Sequence, residues 1–273
     1  MDRVFSGRIG RAFETAQRER RGAFIPFLTS GFPDLVESDR LVQVACEEGA
    51  DVLELGVPFS DPIADGPTIQ RTTESALRAG ATLAHVLGQA RRLRARNQTP
   101  LVLMSYLNPI LRYGTDRFAA DAAAAGVDGL IFVDLPPEEE PALWERARGA
   151  GLDTITLLAP TTEGERLAGV VGRASGFLYV VARLGVTGRG AGDAGVDSVL
   201  ERCRALSMLP RCLGFGIDLE TPLERYRGKA EGVVVGSSLL DAVLAGHDPR
   251  SREERLRSFT RAFRAKLPGL HPG

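Results

Sequence analysis

Glu54 is the residue whose surroundings make it chemically odd. It lies in LELGVPFSDPIADGPTIQ, residues 53–70, where the run 52–57 alternates like a strand. Leu53, Leu55 and Val57 then point to one face and Val52, Glu54 and Gly56 to the other. A carboxylate among apolar neighbours has to be paired, neutralised or solvated. Either Glu54 reaches a buried Arg or water, or it carries a proton with its pKa raised toward neutrality by burial. The loop behind it brings Asp61 and Asp65, and later segments bring Asp134, Tyr179 and Arg183. Three further stretches, GVTG, GFGI and VGSS, are glycine-rich. Backbone N–H groups in such loops, with a helix N-terminus behind them, suit a phosphate. Gly188, Gly216, Gly236 and Ser237 occupy those positions, and none of them is a lysine.

Absences narrow the chemistry. The only lysines are Lys229 and Lys266, so an imine-forming aldolase would lack its strand lysine. His85, His247 and His271 are scattered without metal-ligand spacing, so no metal cage is expected. Cys46, Cys203 and Cys212 are odd in number and form no CxxC, which speaks against a disulfide framework and a zinc site. General acid–base work by Glu54, with Asp65 as second carboxylate, is what these exclusions leave. Carbon–carbon cleavage, isomerisation and proton transfer on a phosphorylated substrate all fit it.

Such a site needs strands that deliver their loops to one face. Apolar runs at 24–30, 52–57, 101–106, 129–134, 154–159, 177–183, 212–217 and 232–235 read as eight strands. Helical stretches separate them: 34–48, 68–79, 83–97, 115–125, 138–149, 196–206 and a short one at 222–226. A further helix is capped by Thr161 or Thr162 and runs to about 174. Another opens at Gly236-Ser237-Ser238 and a last one spans 252–266. Asn108-Pro109 reads as a break after the third strand, and three acids open the helix at 138. An amphipathic stretch at 5–21 suits a helix covering one end of the core. The expected fold is α/β, a single-domain (β/α)8 TIM barrel with an extra N-terminal helix. Residues 1–22 would form the cover, 23–245 the barrel and 246–273 a C-terminal helix and tail. An open doubly wound sheet would want GxGxxG after an early strand, and none follows the first two.

A formal net charge of -1 gives no electrostatic case for nucleic acid or an anionic membrane. No apolar run nears the roughly 20 residues of a membrane span, and MDRVFSGRIGRAF lacks the apolar core of a signal peptide. A cytoplasmic protein is expected.

The long run at 53–70 closely resembles the signature of the tryptophan synthase alpha subunit family. The likeness extends through GAFIPFLTSGFPD, LVLMSYLNPI, GLIFVDLPPEE, LYVVARLGVTG, GFGI and GVVVGSS, nearly the whole chain. The resemblance implies cleavage of indole-3-glycerol phosphate to indole and glyceraldehyde 3-phosphate, without a cofactor. By position it makes Glu54 the catalytic acid–base, Asp65 the acceptor for the indole N–H and Tyr179 an active-site neighbour of Glu54. Phe27 and Tyr106 would wall the indole pocket, and Gly188, Gly216, Gly236 and Ser237 would cradle the phosphate. Thr187 would lie in a closing loop that meets Asp65. A beta subunit carrying pyridoxal phosphate is the implied partner, with Asp61, Pro62, Asn108 and Pro136 on the contacting face. A stand-alone lyase releasing indole, or a non-catalytic regulatory subunit, remain alternatives.

Overall fold

The computed structural model describes residues 7–182 and 193–272. Eight parallel strands close into a barrel in chain order, β1 to β8, among the described residues. They are β1 (Ala23–Thr29), β2 (Leu53–Gly56), β3 (Leu101–Ser105), β4 (Gly129–Phe132), β5 (Asp153–Leu158), β6 (Leu178–Val181), β7 (Arg211–Gly214) and β8 (Gly232–Val235). Their apolar runs are nearly unbroken because each strand is covered on both faces, by the barrel interior and by the helix layer. All seven residues of β1 and all four of β2 are buried. The register pairs Phe27 with Glu54, and Glu54 with Val102.

Apart from the segment after β3, the helices lie near the stretches read from the sequence, with shifted ends. α1 (Gly7–Arg18) buries Ile9, Phe13 and Ala16, and Ile9 reaches the start of β4, within 3.1 Å of where a Gly129 side chain would begin. α2 (Leu35–Glu47) starts at the Asp34 cap, whose side chain accepts from the N–H groups of Val36 and Glu37. α3 (Pro67–Arg78) and α4 (Leu83–Arg94) follow β2.

The segment after β3 corrects the sequence reading. Asn108-Pro109 does not break the chain; both belong to α5 (Leu107–Tyr113), which runs into α6 (Thr115–Ala124). Proline is tolerated in a first helical turn because the N–H groups there have no helical acceptor. The Leu107 N–H instead donates to Asp134 Oδ1, 2.8 Å away at the end of β4.

α7 (Pro141–Gly149) starts three residues later than expected, since Glu138, Glu139 and Glu140 form the turn before it. α8 (Gly164–Val171) likewise starts later, with Glu163 at its cap position rather than Thr161 or Thr162. α9 (Asp193–Leu206) precedes β7, and α10 (Ser237–Leu244) follows β8. α11 (Pro249–Arg264) begins three residues before the expected 252, at a reciprocal cap between Asp248 and Ser251.

α11 packs on α2 through ion pairs. Arg257 meets Glu47 and Glu48, Arg261 meets Glu48, and Arg40 meets Glu253, at 2.6–2.8 Å. No helix among the described residues is long and apolar enough to cross a membrane.

Candidate active site

The C-terminal ends of the strands gather the odd residues, as the barrel topology requires. Glu54 is wholly buried on β2, and neither carboxyl oxygen has a hydrogen-bond partner. Burial alone pushes its pKa up to about 8, so the group is mainly protonated at neutral pH. It faces a narrow cleft shared with Phe27, Asp65, Tyr179, Gly216, Gly236 and Ser237. The free space there is about 60 Å3, below that of an ordinary ligand pocket. A cavity of about 720 Å3 lies at the other end of the barrel, beside Arg211 and Glu231. Glu54, rather than cavity size, decides where the chemistry is.

Two glycines make room for the aromatic walls. A side chain on Gly56 would start 2.4 Å from Phe27 Cζ, so the Phe27 ring covers the end of β2 next to Glu54. A side chain on Gly214 would start 2.4 Å from the Tyr179 hydroxyl oxygen. Tyr179 is buried, and its hydroxyl is driven well above the usual phenol pKa by burial, with the charge of Glu54 and then Cys212 adding to it. Phe215 meets the Tyr179 ring edge-on with centroids 5.7 Å apart. To do so it adopts a left-handed backbone, φ 63°, followed by Gly216 at φ 82°.

Asp65 stands half-buried across the cleft. Burial raises its pKa, while a hydrogen bond from Tyr106 pulls the other way. Tyr106, the other expected wall, reaches the site through its hydroxyl, which donates to Asp65. Its hydroxyl oxygen accepts the Ala64 N–H at 3.0 Å, and its ring packs on Phe59 at 5.3 Å. It is the post that fixes the loop carrying Asp65.

Gly236 caps α10 and Ser237 is its first residue. The helix N-terminus and its free N–H groups can hold an anion. Ser238 Oγ donates to the Ile217 carbonyl at 2.9 Å, which ties this turn to the segment after β7 and brings Gly216 to the same rim. Thr187, Gly188 and Arg183 lie outside the described residues.

The protein-family model described as tryptophan synthase alpha chain matches residues 13–267. The chain belongs to the tryptophan synthase alpha chain family. It is 45% identical over 258 residues to the tryptophan synthase alpha chain of Solibacter usitatus, covering 94% of this chain and 97% of that one. The alpha chain of Burkholderia multivorans is 46% identical over 267 residues, with 96% and 97% covered. Among solved structures, Mycobacterium tuberculosis tryptophan synthase superposes with a TM-score of 0.87 at 37% identity, over 98% of this chain and 100% of that one. The Legionella pneumophila alpha subunit gives 0.82 at 36%, over 94% and 98%. Membership in the tryptophan synthase alpha family makes the chain a lyase of tryptophan biosynthesis.

The positions expected at a partner face share one rim. Asp61 and Asn108 are exposed, and Pro62 and Pro136 half-buried, on the segments after β2, β3 and β4. Ile63 beside them is 80% exposed. Sequence reasoning passed over Phe215 and Ile69, both of which line the cleft. Phe215 carried a signal, a large aromatic between two glycines at a strand end. Ile69 carried none.

Proposed function

We propose that this cleft performs the retro-aldol cleavage of indole-3-glycerol phosphate, with Glu54 as acid–base and Asp65 as partner to the indole N–H. The single observation that carries the assignment is the buried, unpartnered Glu54 carboxyl at the closed end of a cleft that also holds Asp65 and Ser237. A carboxylic acid kept protonated near neutrality can deliver its proton to the ring carbon that holds the side chain. The ring becomes an iminium whose N–H the Asp65 carboxylate steadies. The Glu54 carboxylate left behind then takes the proton of the neighbouring hydroxyl, whose oxygen becomes the aldehyde as the carbon–carbon bond breaks. Its electrons return to the ring, leaving indole and glyceraldehyde 3-phosphate. Phe27 and Tyr179 enclose the ring, and Gly216, Gly236 and Ser237 hold the phosphate at the start of α10.

A tryptophan synthase beta subunit is the partner this reading adds, docking on the rim of Asp61, Pro62, Asn108 and Pro136. The exposed Ile63 gives that rim an apolar contact. The cover, barrel and C-terminal helix act in this reading as one folding unit. The free, buried Cys46, Cys203 and Cys212 support a reducing, cytoplasmic setting.

The test is indole release from indole-3-glycerol phosphate by the isolated chain and again with a beta subunit present. Slow release alone, and faster release with co-elution of the two proteins, is the expected result. Absence of indole under both conditions overturns the reaction. A rate indifferent to the beta subunit overturns the partnership.

A further inference from the structure

The carboxylate loop and the phosphate helix come from opposite ends of the sequence, and α3 joins them. Thr68, the second residue of α3, stands three residues after Asp65. Its Oγ1 donates to Asp241 Oδ1 at 2.8 Å, across 173 residues of chain. Asp241 lies one turn into α10 from Ser237. The next residue of α3, Ile69, sets its Cδ1 3.6 Å from where a Gly236 side chain would begin, at the cap of the phosphate helix. Gln70 Nε2 donates to the Asp65 carbonyl at 2.8 Å, which ties the same turn back to the carboxylate loop. Two residues on, Thr72 Oγ1 and Thr29 Oγ1 share a buried hydrogen bond of 2.7 Å, which holds α3 to β1 just beyond Phe27. One helical turn is thus bonded to both ends of the site and anchored to the barrel wall.

We propose that Thr68 and Asp241 are a positioning pair that sets the span between Asp65 and the phosphate helix, so that the site selects its substrate by length. The inference rests on the reading of the site given above. A substrate held at both ends gains affinity because binding one end presents the other at high effective concentration, and the gain depends on the span being fixed. When the strut is loosened, each half of the substrate still finds its own contacts. The whole molecule loses the advantage of being joined.

Asp241→Ala and Thr68→Val test this in the full-length protein. The measurements are KM and kcat for indole-3-glycerol phosphate, and the inhibition constants of indole and of glyceraldehyde 3-phosphate taken singly. The expected result is a rise in KM of roughly three- to tenfold, the range of one net hydrogen bond. The two half-ligand constants stay unchanged and kcat stays within about twofold. Asp241→Asn and Thr68→Ser, which keep the acceptor and the hydroxyl, restore KM. A merely structural role would reduce the active fraction, lowering kcat and leaving KM alone, and so would overturn the proposal. Weaker binding of either half alone would overturn it too, by showing that the pair acts on one end. An unchanged KM alongside a Glu54→Gln variant that no longer cleaves would refute the positioning pair and spare the site. Undiminished cleavage in Glu54→Gln would refute the site and the pair with it.

Discussion

The ring of Tyr179 lies directly on the α-carbon of Gly214, with its hydroxyl oxygen 2.4 Å from where a methyl group would be built. The two residues sit on neighbouring strands, and their contact keeps the phenol beside Glu54. Gly214→Ala is expected to force the ring aside. Overpacking of this kind costs about 1–3 kcal/mol, read from the midpoint of urea unfolding, and indole release should fall with it.

Glu54→Gln keeps the shape and removes the transferable proton. Turnover should fall by roughly two to four powers of ten, the usual contribution of a positioned acid–base. The wild type should show a limb in kcat/KM near pH 8, the raised pKa of this carboxyl, and the variant should lack it.

The same burial ties stability to pH. Glu54 is raised from the ordinary 4.5 to about 8, so folding favours its protonated form. Its contribution is full below about pH 4.5 and is lost as pH rises through 8. The shift amounts to roughly 5 kcal/mol at most. Chemical denaturation between pH 5 and 9 should show wild type losing stability relative to Glu54→Gln as pH rises.

Tyr106→Phe removes the hydroxyl that accepts the Ala64 N–H and donates to Asp65. Asp65 then loses the bond that opposes its raised pKa, and its loop loses a tether. KM should rise by about tenfold, from a lost hydrogen bond to a charged group, with smaller loss of fold stability measured by thermal unfolding.

Asp134→Ala leaves the first N–H of α5 without its acceptor. Loss of such a cap costs about 1 kcal/mol. Since α5 carries Asn108 on the proposed docking rim, the beta-stimulated rate should drop more than the rate of the isolated chain.

Much of this was legible before the fold was in view. Strands buried on both faces write long apolar runs, and a glutamate inside one, as at Glu54, stands out against them. Gly56 and Gly214 were visible as residues but not as the space under Phe27 and Tyr179, because the rings come from adjacent strands. α5 was missed because Asn108-Pro109 looks the same whether it ends a segment or begins a helix. The deciding partner, Asp134, comes from the next strand. The bonds of the Tyr106 hydroxyl to the Asp65 loop were silent, because a strand-end aromatic gives no hint of where its hydroxyl goes. Thr68 and Asp241 were silent for the same reason on a longer scale: neither is unusual until two distant helices meet.

The ion pairs between α2 and α11 work as a clasp on a hoop. Every other pair of neighbouring staves is consecutive in the chain, whereas β8 and β1 adjoin only because the ring closes. Arg257, Arg261 and Arg40 bind the last helix across that joint to the first repeat. The joint is therefore fastened partly by charge, which dissolved salt screens. Phe27 on β1 and Ser237 after β8 stand on its two sides, so the cleft straddles a joint fastened by the far end of the chain.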